Sequence, residues 1–170
     1  MNKIESSIAR MHHLQSIPVH YDMGDRYGND ADGDGRIEFD CSSAVSYALE
    51  ISLIQFYSCF FLLLLVLNNN TESLQQALPA IGYAKIYDVV DGTFDGRRGD
   101  VVIWAPRDGS SSLGAFGHVL IMTSDSTAIH CNYGMDGVTE NDYNYIWDLN
   151  GRPREIVFRE SGTPDRKSVV

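Results

Sequence analysis

Cysteine is scarce in this chain: Cys41, Cys59 and Cys131 are the only three in 170 residues. An odd, low count does not make a disulfide framework, and it suits a cytosolic protein with reduced thiols. Positive charge is scarce too. Thirteen Lys and Arg stand against 23 Asp and Glu, a formal charge of −10. Nucleic acid is excluded as a partner, because phosphates require a basic footprint. An anionic membrane surface is disfavoured for the same reason. Residues Met1 to Arg10 have no apolar stretch of signal-peptide length. The expectation is therefore synthesis in the cytoplasm without a signal peptide, and release by another route if the protein acts outside the cell. No internal repeat is visible, and no motif for an organic cofactor.

What is present suits one globular domain over 1–160 with a tail or cut linker at 161–170. The apolar fraction is 44 % and the aromatic fraction 11 %, enough at this length for a sizeable core. One segment stands apart. Ile51 to Leu67 is almost continuously apolar and ends in Phe-Phe-Leu-Leu-Leu-Leu-Val-Leu. It is at the lower edge of a bilayer span, which needs roughly 20 residues, and Gln55, Tyr57 and Ser58 interrupt it. A buried or partly exposed apolar helix is the preferred reading, and membrane association is not expected.

Ile4, Ile8, Met11 and Leu14 mark an amphipathic helix over 3–15. Ile17 to Tyr21 reads as extended, and 22–40, rich in Gly and Asp, as loop. Val45, Leu49, Leu53 and Phe56 step at helical spacing from Ser42 onward. Thr71 to Ile81 predicts another helix, capped at Thr71 and stopped at Gly82. Short strands follow at 83–87, 101–104, 118–123, 127–133 and 155–159, with loops at 106–117 and 134–144. Helices first and an antiparallel sheet afterwards define an α+β class.

Two places carry chemistry. Cys41 lies where the acidic loop meets a helix, in Phe39-Asp40-Cys41-Ser42-Ser43. Unpaired N–H groups and the positive helix end face such a position, and this setting lowers a thiol pKa. The alternative is a small buried cysteine that merely starts a helix. The second place is the hairpin 118–133. A turn centred on Ser124 or Asp125 sets His118 opposite His130 or Asn132, and these two share a strand face. A base steadied by a third group is the logic of an activated nucleophile. His118 would take the Cys41 proton and His130 would orient His118, with Asn132 as the fallback.

Asp40-Cys41-Ser42-Ser43, Gly99-Asp100-Val101-Val102-Ile103-Trp104, Gly117-His118-Val119 and Ile129-His130-Cys131-Asn132-Tyr133 follow in that order. Together they resemble the NlpC-type cysteine peptidases of bacterial cell walls. The phage endolysin branch is the nearer likeness, through Tyr21-Asp22-Met23, Arg26-Tyr27-Gly28 and the 129–133 run. The resemblance implies a papain-like core and, as substrate, the peptide part of peptidoglycan in Gram-positive walls. It implies Cys41 on the first core helix and His118 and His130 on the sheet. Tyr21 would lie near the nucleophile and assist the oxyanion site, or else be an ordinary packing residue. The scissile bond is either muramoyl–alanine or one within the stem peptide. No wall-binding repeat follows Glu160, so wall targeting is expected to need a separate module. A monomer is expected.

The sequence departs from that branch in the apolar run and in an acidic insertion. Asp30-Ala31-Asp32-Gly33-Asp34-Gly35-Arg36-Ile37-Glu38 follows the first nine positions of an EF-hand loop. Asp30, Asp32, Asp34 and Glu38 supply side-chain oxygens, Arg36 its backbone carbonyl, and Gly35 the turn. Position 12, normally a bidentate Glu, is Cys41, a poor calcium ligand. Asp40 or Asp22 would have to complete the shell. The expectation is a calcium site, against a bare acidic loop. Two other readings of the whole chain remain at this point: a non-catalytic calcium-binding module with an inert cysteine, and a small protein anchored by 51–67.

Overall fold

The structure is a computed structural model that describes residues 2–51, 70–92, 94–114 and 117–162. The apolar run beyond Ile51, Cys59 and the tail from residue 163 lie outside the described residues.

The chain begins with α1 (Lys3–Ser16), whose Ile8, Met11 and Leu14 are buried as the spacing predicts. Two short strands follow, β1 (Val19–Tyr21) and β2 (Ile37–Phe39), and they pair in parallel with Tyr21 beside Phe39. The second strand lies inside the stretch read as loop. Three residues are too few to show a period, and their partner is 18 residues away, so nothing local marks them.

Helix α2 (Cys41–Ala48) starts at the expected junction. It ends before Leu53 and Phe56 could extend it. Glu50 takes a left-handed φ of 56°, its N–H reaches the Tyr47 carbonyl and the Ile51 N–H reaches that of Ser46. This is a Schellman stop without the usual glycine, which is why the sequence does not announce it. Helix α3 (Thr71–Ala80) is capped by Asn70, one residue before the expected cap. The Asn70 and Ser73 side chains each satisfy the other's backbone N–H.

Six strands then build one antiparallel sheet: β3 (Tyr83–Val89), β4 (Val101–Ala105), β5 (His118–Met122), β6 (Thr127–Asn132), β7 (Gly137–Asp142) and β8 (Arg154–Glu160). Their spatial order is β3-β8-β4-β5-β6-β7. Strand β7 falls inside the loop read at 134–144, and the following helix α4 (Tyr143–Leu149, capped by Asp142) begins at its end and runs on through residues assigned no element. Only Gly137 and Val138 of β7 are buried, so its apolar alternation is weak. The outcome is the expected α+β core with N-terminal helices on an antiparallel sheet.

Side chains alternate across the sheet. Val101, Ile103, Val119, Ile121, Ile129 and Phe158 pack under α1, α2 and α3. Val102, Trp104, Leu120, Met122, Ala128 and Val157 pack under α4. Asp100 closes one end of β4. It is buried and takes two bonds from Arg159, at 2.7 and 2.6 Å, and one from the Arg97 N–H at 2.9 Å. Among the described residues no helix is long and apolar enough to cross a membrane.

Candidate active site

Asp40 prepares the head of α2. Its Oδ1 accepts from the Ser43 N–H at 2.7 Å and from the Ser42 hydroxyl at 2.9 Å, while its own N–H donates to Ser43 Oγ at 2.9 Å. Arg26 pairs with the other carboxylate oxygen. Cys41, next in the chain, is only 5 % exposed. The Val119 N–H, the Tyr21 hydroxyl and the Ser42 N–H lie near its sulfur and favour the thiolate. Val119 N belongs to the peptide that joins it to His118, so the thiol lies near the start of β5. Parallel pairing of β1 with β2 delivers Tyr21 there, because its partner Phe39 is two residues before the thiol.

The lowered thiol pKa expected from the helix end is not found. Burial, and then the Asp40 charge, push the Cys41 thiol up to about 12 against the neighbouring Val119, Tyr21 and Ser42 donors that favour the thiolate. A helix-end dipole contributes only about 0.3–1 kcal/mol, less than the cost of burying an anion. Burial and the neighbouring thiol also raise the Tyr21 phenol, which therefore stays a donor. Cys131 is a second buried thiol, also raised by burial, and its Sγ lies 3.5 Å from the Phe39 carbonyl oxygen.

His118 and His130 meet directly, Nε2 to Nδ1, at 2.6 Å. The β5–β6 register pairs Ile121 with Ile129. Carried back along the strands, it sets His118 level with Asn132, yet the diagonal neighbour His130 makes the bond, as long side chains can. Asn132 instead holds the turn after β6. Its Oδ1 accepts from the Met135 N–H at 2.9 Å and its Nδ2 donates to Thr139 Oγ1 at 2.8 Å. Thr139 donates onward to Asn141 Oδ1 at 2.7 Å, and that oxygen lies 3.1 Å from His130 Nε2. Thr139 and Asn141 were not foreseen. Both have the strand parity that faces His130, but that signal is readable only once β7 is recognised.

The direction of this chain follows from its anchor. A backbone N–H can only donate, so Asn132 Oδ1 is the acceptor and Nδ2 the donor. Thr139 then donates to Asn141, whose oxygen takes the His130 Nε2 proton. His130 Nδ1 is left as an acceptor, His118 Nε2 carries the proton, and His118 Nδ1 holds a lone pair. Both rings are neutral. Burial and then the adjacent His130 hold His118 well below the ordinary imidazole value, and burial lowers His130.

The two histidines open onto a cleft of 1020 Å³ that Tyr21, Trp104, Asn132 and Asn141 also line. The Trp104 ring lies 5.4 Å from that of His118. Met23, Tyr133, Met135, Tyr145 and Leu149 stand on the cleft wall with large exposed surfaces. Cys41 is buried and is not among the residues that line this cleft.

The acidic insertion forms a compact cluster. Oxygen atoms of Asp30, Asp32, Asp34 and Glu38 all lie within 4.8 Å of one another. Gly35 has φ of 87° and donates its N–H to Asp30 Oδ2 at 3.0 Å. The Arg36 side chain reaches Asp34 and Asp136. Neither expected completing ligand is available: Asp40 caps α2 and pairs with Arg26, and Asp22 takes the N–H groups of Gly24 and Asp25.

This architecture has a solved counterpart. Over 95 % of the chain it matches 96 % of the P60 domain from the M. avium subspecies paratuberculosis antigen MAP1204, with a TM-score of 0.50 and 13 % identity. The fold is thus that of this P60 domain. The sequence profile described as bacteriophage peptidoglycan hydrolase matches residues 3–167, and the chain belongs to that family. The lysin of Pneumococcus phage Dp-1 is 33 % identical over 126 residues, 74 % of this chain. The chain spans 38 % of that lysin's length.

Proposed function

We propose that this domain hydrolyses an amide bond in the peptide part of peptidoglycan, with Cys41 as nucleophile, His118 as general base and acid, and His130 holding His118. The polarised side-chain network carries the reading. It leaves His118 Nδ1 with the lone pair, on the residue whose following N–H lies near the Cys41 sulfur and favours its thiolate.

Cys41 starts as a neutral thiol and His118 as a neutral ring, so the proton moves when substrate arrives. The thiol proton passes to His118 Nδ1 as sulfur bonds to the amide carbon. The carbonyl oxygen becomes an oxyanion, and backbone N–H groups at the head of α2 and the Tyr21 hydroxyl stabilise it. Collapse breaks the C–N bond, and His118 gives its proton to the leaving amine. Water then attacks the thioester. His118 takes a proton from that water and returns it to sulfur as the C–S bond breaks. The apolar side chains on the cleft wall seat the peptide, and no cofactor takes part in these steps.

The bond is muramoyl–alanine or lies within the stem peptide, and mass spectrometry of digested walls distinguishes them. The proposed setting is a monomer made in the host cytoplasm that reaches a Gram-positive wall after release. The decisive test is Cys41→Ala. Turbidity clearing of Gram-positive walls should vanish while the melting temperature stays near that of the parent. Clearing above a few per cent of the parent rate rules out the cysteine mechanism.

A further inference from the structure

We propose that Asp30, Asp32, Asp34 and Glu38 bind a calcium ion that fixes strand β2 and, through it, the approach to Cys41. Acidic residues gathered on a loop are not sufficient evidence, and three of these four are exposed. Glu38 is the distinguishing observation. It is 2 % exposed, and its Oε1 is buried with no hydrogen-bond partner among the described residues. Its Oε2 accepts a 3.2 Å bond from the Ala31 N–H. A buried carboxylate oxygen without a partner is costly. Here it belongs to a carboxylate grouped with three others, where a cation would supply the missing partner.

The donor set selects the ion. All four ligands are hard carboxylate oxygens, with no His or Cys among them. Such a set suits calcium, which accepts an irregular shell completed by water, better than magnesium, which demands tight octahedral geometry. The thiol at the twelfth loop position is no part of this cluster, and a soft sulfur is a poor calcium ligand. The ion's hold is transmitted by short covalent and hydrogen-bonded links. Glu38 is the middle residue of β2 and pairs with His20. Phe39 and Asp40 alone separate it from the nucleophile. From the same loop, Arg36 donates to Asp136 Oδ2 at 2.7 Å, and Asp136 Oδ1 accepts the Tyr21 N–H at 3.0 Å.

The experiment uses the whole chain carrying Cys41→Ala, so that its outcome is independent of hydrolysis. Calorimetric titration with calcium chloride should show one site. Calcium at 100 times its dissociation constant should raise the melting temperature by about 5–10 °C over the chelated protein. Equimolar magnesium should give less than half that rise. Glu38→Gln should abolish the titration heat. Asp32→Asn, at an exposed position, carries the same test if Glu38→Gln does not fold. In the active chain, chelation should slow wall clearing and calcium should restore it. Equal melting temperatures with calcium and chelator, an equal response to magnesium, or unchanged binding by Glu38→Gln or Asp32→Asn would each overturn the assignment.

Discussion

One backbone donor, the Met135 N–H, sets the protonation pattern of the network through Asn132, Thr139, Asn141 and His130 to His118. The residues therefore differ in their expected effects. His118→Ala should be as damaging as loss of Cys41, because nucleophile and base act as a unit. His130→Ala should lower kcat by about 10²-fold. Asn141→Ala should cost less, and Asn132→Ala, two bonds further from His130, less again. Turbidity kinetics rank them, and an Asn132→Ala more damaging than His130→Ala would show that the order of the chain is wrong. The pH profile separates positioning from mere support. With His118 held well below 6.5 and the thiol pushed up to about 12, kcat/KM should be flat through neutrality, with its acid limb below pH 6.5. Removing His130 relieves part of the depression of His118, so that limb should move upward in His130→Ala.

At the scale of elements, α2 is the piece that carries the proposed nucleophile, and Asp40 both caps the helix and opposes ionisation of the Cys41 thiol. Asp40→Asn keeps an oxygen for the Ser43 N–H but removes the charge that pairs with Arg26. Stability should fall by about 1–3 kcal/mol, the worth of a charge-assisted bond, read from the urea midpoint. The Cys41 thiol should at the same time become more acidic, so alkylation by iodoacetamide at pH 8–9 should quicken. Slower alkylation would show that the Asp40 charge does not govern the thiol. The start of this helix was legible because an Asp-Cys-Ser-Ser junction is a local capping signal, and α1 was legible because Ile8, Met11 and Leu14 repeat at helical spacing. The facing histidines were legible because a tight hairpin fixes parity within a few residues. What escaped the sequence was non-local. Strand β2 exists through its pairing with β1, and β7 through its pairing with β6, which pairs His130 with Thr139. Asn141 and Thr139 were hidden with β7. The thiol's raised pKa was hidden because burial is a property of the packed sheet and helices, while the helix end that argues the other way is visible in four residues.

For the whole molecule, the two neutral imidazoles link folding to pH. An unfolded chain takes up protons on His118 and His130 near the ordinary value of 6.5, whereas in the folded protein His130 is held below it and His118 well below it. Between those limits the unfolded state binds more protons, so stability falls as pH falls. Each unit of depression is worth about 1.4 kcal/mol per group. Glu155 acts in the opposite sense. Burial raises its carboxyl above the ordinary value, so the folded state holds that proton longer and gains relative stability as pH falls toward 4.5. A second loss then sets in below about pH 4, where the unfolded chain takes up protons on carboxylates that the fold holds below their ordinary value, such as Asp136 beside Arg36 and Asp88 beside Lys85 and Arg154. The imidazole contribution is isolated by difference. Melting temperatures of the parent and of His118→Gln/His130→Gln should be compared at steps from pH 7.5 to 5, at constant ionic strength and with chelator present. The parent should lose more stability over that interval than the double variant, with the divergence starting near pH 6.5. Parallel curves would mean that the folded protein binds those protons as readily as the unfolded chain, and the neutral pair from which Cys41 is said to be activated would not exist.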